Sequence, residues 1–180
     1  MSLTAQKMLE AFACLDKKLP RKVRLIMGGG GAMLLAYHYA LSTSDIDAIP
    51  AKGITIQELD PLVKQVAEEL SLPGDWLNPY YSSFAHVLPT DYGDRLIDVF
   101  SAQHLTVSAL SKEDLLIMKC FAARQKDVVH ARVLIKKGAD LTLVKNQIRH
   151  LANNRIPGSE KAERFLAELI AFFSSQDDEV

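Results

Sequence analysis

Between Arg24 and Ile49 a short β-prone run, Val23 to Met27, meets four consecutive glycines, Gly28 to Gly31. An apolar helix-prone segment, Ala32 to Leu41, follows, and then Ser42-Thr43-Ser44-Asp45-Ile46-Asp47 opens a second short strand over Asp45 to Ile49, closed by Pro50. Few folds accept this succession. The glycines end the strand and start a helix, where free N–H groups and the helix dipole favour an anion and the missing side chains let a phosphate reach the backbone. The plainer use of Gly29, Gly30 and Gly31 is a tight turn with close helix packing. Successive strand residues point to opposite sides, so Asp45 and Asp47 share one side about 7 Å apart, and Ile46 points into the core. Two carboxylates side by side repel and are costly to bury uncompensated. A Mg²⁺ ion, held by one or two carboxylates plus substrate phosphates, removes that cost. A merely exposed polar face is the simpler alternative for an isolated Asp-x-Asp. A phosphate seat beside a carboxylate pair is the equipment of phosphoryl or nucleotidyl transfer.

A third carboxylate lies downstream. Arg95 to Phe100 reads as a strand in which strict alternation puts Leu96, Asp98 and Phe100 on one face and Ile97 and Val99 on the other. Asp98 among apolar neighbours is an expensive position for an unpaired charge. It is either a structural aspartate, paired for instance with Arg95, or a metal ligand or general base facing Asp45 and Asp47.

The rest of the chain supplies a scaffold. Leu3 to Leu19 has the apolar spacing of an amphipathic helix, as does Ile56 to Leu70, and Phe84 to Leu88 reads as a short strand in a stretch rich in Pro, Tyr and Ser. From Ser111 the pattern becomes helical throughout: Leu115 to Arg124 behind a Ser111…Asp114 capping signature, Val128 to Lys137 before Gly138, Leu141 to Leu151, and Glu160 to Phe173. The expected class is α+β, a small mixed sheet flanked by helices. One domain is expected over residues 1–180, with an α/β half over 1–110 and a helical half over 111–180. No flexible linker separates the halves.

Composition narrows the function classes. A chain of 180 residues with 48% apolar and 24% charged residues suits a globular core. It lacks an apolar run long enough for a membrane helix or a signal peptide, so a cytoplasmic protein is expected. Cys14 and Cys120 lack metal-ligand spacing and read as reduced structural thiols. None of the five histidines pairs at metal-ligand spacing. Net charge is −1, but Ser111 to Phe165 carries 12 Lys or Arg against 6 Asp or Glu, and residues 1–110 carry 9 against 12. Such an excess is either a solvated helix face or a surface that meets phosphate. Lys119 is a mobile cation suited to a triphosphate, and Arg124 suits bidentate phosphate binding. Both also fit an ordinary amphipathic helix surface, with Asp127 as a partner for either. Trp76, Tyr80 and Tyr81 are read as core, with base stacking as the alternative.

Gly29-Gly30-Gly31-Ala32, Thr43-Ser44-Asp45-Ile46-Asp47 and the isolated Asp98 together resemble the nucleotidyltransferase superfamily, the polymerase-beta-like fold. The segment Asp114-Leu-Leu-Ile-Met-Lys119-Cys-Phe-Ala-Ala-Arg124-Gln-Lys126-Asp127 is similar to that of AbiEii-type toxins and related bacterial nucleotidyltransferases. The resemblance spans about residues 22–137. It implies a nucleotidyltransferase fold in which Asp45, Asp47 and Asp98 hold Mg²⁺ (or Mn²⁺), with Asp98 also helping to deprotonate the acceptor. Gly29 to Gly31 would seat phosphates, with Thr43, Arg124 and Asp127 beside the nucleotide and Lys119 on the triphosphate. It further implies transfer of a nucleoside monophosphate from a nucleoside triphosphate to an acceptor hydroxyl, with RNA or a cognate antitoxin as candidate macromolecular partners and no membrane. The chain departs from the pattern at Leu41, where such families usually carry Arg, and at His130, where an acidic residue is common. A non-catalytic interaction or antitoxin-like member of the fold is the alternative that Leu41 supports.

Overall fold

The structure, a computed structural model, describes residues 2–39, 42–78 and 80–177. Leu41 lies outside the described residues, and so do the side chains of Tyr80 and Tyr81. The chain divides into two compact units. The first comprises Met1–Ser83 and Arg95–Leu110, and the second Phe84–Asp94 and Ser111–Val180. The boundary at Ser111 falls where the sequence pattern turns helical. Phe84–Asp94 groups with the helical unit rather than with the α/β half. Among the described residues no helix is long and apolar enough to cross a membrane.

In the first unit α1 (Ala5–Lys18), β1 (Val23–Met27), α2 (Gly29–Leu35), β2 (Ile46–Lys52), α3 (Ile56–Leu70), β3 (Leu77–Asn78), β4 (Ile97–Ser101) and β5 (Leu105–Ala109) follow in chain order. The sheet order is β3-β2-β1-β5-β4. β1 runs antiparallel to β2 and parallel to β5, β2 is parallel to β3, and β4 is antiparallel to β5. The sheet is therefore mixed and the fold α+β. Thr55 caps α3 through a reciprocal capping box with Glu58. β2 does not stop at Pro50 but continues to Lys52. β3 pairs only with Ile46 and Asp47, so on that side the missing N–H of Pro50 leaves no ladder bond unmade.

One side of the sheet carries the apolar core with α1. Phe12 sits between Trp76 and Phe100, with ring centroids 6.2 and 5.6 Å away. Trp76 is fully buried, and its indole N–H donates to the Val63 carbonyl at 2.9 Å, so it is a core residue with no face left for a base. Asp16 ties α1 to the start of β5 by accepting from the backbone N–H groups of His104 and Leu105, both at 2.7 Å. β3 is two residues long and carries no pattern of its own, whereas Leu105 to Ala109 alternates Leu, Val and Ala with Thr and Ser, a period-two strand signal that went unread.

In the second unit α4 (Lys112–Ala122), α5 (Gln125–Lys136), α6 (Leu141–Asn153) and α7 (Ser159–Asp177) pack together. Ser111 accepts from the Asp114 N–H as the N-cap of α4, as its sequence signature predicts. Every residue from Glu113 to Phe121 is buried, which makes α4 the centre of the unit. Glu113 accepts from the Asp140 N–H at 3.0 Å and fixes the start of α6. The predicted strand Phe84 to Leu88 is instead the end of a 3₁₀ helix, Tyr80–Val87. Tight turns of this kind need no strand partner, and Gln147 on α6 donates to the Val87 carbonyl at 2.9 Å.

Candidate functional site

The Gly-Gly turn and the Asp-x-Asp strand meet at the ends of β1 and β2. The Gly28 N–H donates to the Asp47 carbonyl at 2.9 Å, continuing the β1–β2 ladder by one bond into the turn. Gly29 then adopts a left-handed conformation with φ of 59°. A Cβ at this position would overlap Asp47 Oδ2, so the carboxylate rests directly on the first residue of α2. A Cβ at Gly30 would come within 2.9 Å of Thr43 Oγ1. Thr43 in turn donates to the Asp45 carbonyl at 2.9 Å and shapes the bend that leads into β2. Gly31 is different. It turns toward the core, where a Cβ would meet the flexible ends of Met27 and Met8, and it belongs to packing rather than to a phosphate seat.

Asp45, in the bend just before β2, and Asp47, on the strand, are each half-buried, while Ile46 between them is fully buried. Asp45 is held at both oxygens: Ser44 Oγ donates to Oδ1 at 3.0 Å and Asn78 Nδ2 to Oδ2 at 2.8 Å. Asn78 is the residue that sequence reasoning missed. It lies opposite Asp47 in the β2–β3 register, on a strand two residues long, and its amide orients one carboxylate without adding a third negative charge. Its only sequence cue is its place after the Trp76-Leu77 pair.

Asp98 does not join this pair. β4 and β2 are separated by β1 and β5, so three strand spacings of about 4.8 Å put Asp98 about 14 Å across the sheet from β2. Nor is Asp98 surrounded by apolar residues. A bulge between Asp98 and Phe100 pairs Asp98 with Ser108 but Phe100 with Val107, which turns the two side chains to opposite faces. Phe100 therefore enters the core against Phe12, and the Asp98 side chain stays 53% exposed. It accepts from Ser108 Oγ at 2.6 Å and pairs with Arg24 at 3.3 Å, rather than with Arg95. Strict period-two alternation fails here because one extra residue enters the strand.

Lys119, Arg124 and Asp127 form a cluster within the helical unit. Lys119 is 5% exposed, and its ammonium donates to Asp127 Oδ1 at 2.9 Å. Arg124 donates to Asp127 Oδ2 through its Nε at 2.7 Å and its backbone N–H at 3.2 Å. Burial by itself would raise the Asp127 carboxyl, but the Arg124 hydrogen bond and the Lys119 charge outweigh it and hold the group below the ordinary range. The cation expected at a triphosphate is thus engaged in a buried ion pair, with Asp127 anchoring Lys119 and Arg124 alike. Cys120 beside it is fully buried, its thiol pushed up to about 12 by burial and by the Asp127 charge, as suits a structural cysteine.

His130 is buried against the same cluster, and burial, with Lys119 nearby, lowers it to about 4. The folded protein holds this imidazole neutral, whereas the unfolded chain protonates it below about 6.5. Its contribution to stability is complete above pH 6.5 and is lost as the pH falls toward 4. With allowance for solvent screening the loss is about 2 kcal/mol. Thermal melts of wild type and His130→Gln at pH 7.5 and 4.5 should show a smaller acid-induced drop in Tm for the variant. Equal drops would show that His130 does not carry the acid sensitivity.

The protein is thus an α+β fold in which a mixed sheet seats an Asp-x-Asp segment against a Gly-Gly helix start. The family described as nucleotidyltransferase of unknown function (DUF6036) matches residues 6–177, and the chain belongs to it. Comparison with curated proteins and with solved structures gives no match.

Asp47 over Gly29 and Asp45 held by Asn78 offer hard oxygen donors at the start of β2. Among the described residues no group of three metal-ligating side chains forms. Two carboxylates of this kind would suit a Mg²⁺ ion that takes its remaining ligands from phosphates and water. Gly29→Ala is expected to disturb this arrangement in two ways, by straining a left-handed residue and by pushing the Asp47 carboxylate aside. Wild-type Mg²⁺ affinity in Gly29→Ala, measured by calorimetry, would show that the close approach is immaterial.

Proposed function

We propose that this protein transfers a nucleoside monophosphate from a nucleoside triphosphate to an acceptor hydroxyl, using Mg²⁺ (or Mn²⁺) held by Asp45 and Asp47. The observation that carries the reading is the Asp47 carboxylate resting on the side-chain-free start of α2, with Asp45 oriented beside it by Asn78. The bound cation would neutralise charge on the phosphates and on the departing pyrophosphate. Asp45 and Asp47 hold it at the start of β2, and Asn78 keeps the Asp45 carboxylate from turning away. The space that side chains would take at Gly29 and Gly30 is filled by Asp47 and Thr43, so the turn serves to hold the carboxylate in place rather than to seat a phosphate at those two residues. The acceptor oxygen bonds to the α-phosphorus as the bond to pyrophosphate breaks and the hydroxyl proton passes to solvent, a displacement that depends on positioning and charge more than on covalent help from the protein. The likeness of the α4–α5 segment to AbiEii-type proteins extends the proposal to a toxin, one that stops growth by modifying its acceptor.

The test is incubation of the pure protein with each labelled nucleoside triphosphate, Mg²⁺ and total RNA. The expected result is pyrophosphate release with label transferred to an acceptor, abolished by EDTA. Nucleotide binding without turnover across a broad acceptor panel would overturn the catalytic reading in favour of an interaction protein of the same fold.

A further inference from the structure

The turn 154–158 joins α6 to α7 within the helical unit, and a connection this short sets the two helices antiparallel. Arg149 and Glu163 lie seven residues before and after its midpoint, Ile156, so they stand level across the hairpin. Lys145 stands level with Ala167 in the same way. Between the helices runs an open groove with a cavity of about 240 Å³. Its floor is apolar: Ile148 and Leu166 are buried, and Ile170 lines the end far from the turn. On the α7 side the stripe Glu163, Ala167, Ile170 follows helical spacing, and its middle member contributes only a methyl, which leaves the space open. Lys145, Arg149 and Glu163 are exposed on the rims, and none of their charged groups forms a salt bridge or hydrogen bond with a described residue. Arg149 and Glu163 are level with each other and still do not pair, because the groove holds them apart.

Two cations on one rim, one carboxylate on the other and an apolar floor between them select a ligand by elimination. A fatty acid would satisfy Lys145 and Arg149 but bring a like charge toward Glu163, and an apolar amine would satisfy Glu163 but face two like charges. A carboxylate and an ammonium on one carbon, followed by an apolar side chain, answer all three groups and the floor at once. We infer that this groove binds a free α-amino acid with an apolar side chain of leucine or phenylalanine size. The carboxylate goes to Arg149, with Lys145 one helical turn away adding to the charge, and the ammonium goes to Glu163. The side chain then runs from the turn toward Ile170, over Ile148 and Leu166. The cavity is smaller than the roughly 300–1,000 Å³ of drug-sized ligand sites, as suits so small a molecule. This binding is independent of the proposed nucleotidyl transfer.

The experiment is calorimetric titration of the full chain with L-leucine, L-phenylalanine, N-acetyl-L-leucine, L-leucinamide and L-serine. L-Leucine or L-phenylalanine should bind at one site with a dissociation constant of about 1 mM or tighter. Acetylation removes the ammonium and amidation the carboxylate, and each should weaken binding about 10-fold or more. L-Serine, which keeps both charges but has no apolar side chain, should bind about 10-fold more weakly as well. Glu163→Gln should weaken L-leucine binding about 10-fold and lose the preference over the N-acetyl form, and K145Q/R149Q should lose the preference over the amide. Ala167→Phe, which fills the groove, should abolish binding, whereas K136Q/K137Q on α5 should leave it unchanged. Circular dichroism spectra of all variants should match wild type, since every substituted residue is exposed. The blocked ligands test the wild-type protein and need no variant to fold. The inference is overturned if neither apolar amino acid binds at about 20 mM, if either blocked form binds as tightly as L-leucine, or if the groove variants bind as wild type. It is also overturned if decanoate binds the groove more tightly than L-leucine, or if light scattering finds a dimer that Ala167→Phe dissociates.

Discussion

Asp47→Asn should reduce nucleotidyl transfer by at least about 1,000-fold while leaving the thermal melt unchanged. The substitution keeps the volume and the backbone bond from Gly28 to the residue 47 carbonyl, and replaces the carboxylate by an uncharged amide. Loss of a metal-holding carboxylate removes several kcal/mol of transition-state stabilisation, and each 1.36 kcal/mol is a factor of ten in rate. Asp98→Asn is the informative companion. That carboxylate is exposed, shared between Arg24 and Ser108, and three strands from β2, so its neutral variant should stay within about threefold of wild-type turnover and lose less than about 1 kcal/mol of stability. Turnover assays on both variants decide the matter. Equal losses would return Asp98 to the reaction, and an active Asp47→Asn would remove the Asp-x-Asp pair from it.

The second large effect is on folding. Asp127→Ala should destabilise the protein by about 3–5 kcal/mol, because Lys119 would be left buried without its counter-charge. Against a typical total stability of about 5–15 kcal/mol this is severe, and the melting temperature should fall by about 10 °C or more. Lys119→Met should cost less, since Asp127 keeps its bonds from Arg124. Lys119→Met combined with Asp127→Leu should recover most of the loss, because two apolar residues of similar volume leave no buried charge. An Asp127→Ala protein that melts like wild type would show the pair to be open to water.

Most elements were legible because their signals are local. The capping residue Ser111, the apolar spacing of α1 and α3, and the change to helices at Ser111 depend on neighbours a few positions apart. The Gly29–Asp47 approach was legible for a similar reason: four glycines must end a strand, and the following Asp-x-Asp strand must return beside it. The α+β class came from the pattern of the whole chain, and the likeness to nucleotidyltransferases from the glycines, the Asp-x-Asp segment, Asp98 and the α4–α5 segment together; the family match agrees with that likeness.

Sequence alone, then, determined the α+β class, the cap of α4 at Ser111 and the pair of carboxylates at Asp45 and Asp47. Tertiary structure decided which distant groups meet them. Asn78 reaches Asp45 because β3 pairs in parallel beside Asp47, a pairing of two residues with no pattern of its own. Asp98 is excluded by strand order and by a bulge, and neither leaves a trace in an alternating Arg-Leu-Ile-Asp-Val-Phe run. Lys119 and Asp127 lie eight residues apart on two helices, and only the turn between α4 and α5 brings their charges to 2.9 Å. Periodicity records which side a residue takes within its own element. The order in which elements pack is set by burial summed over the whole chain, and no short stretch of sequence contains it.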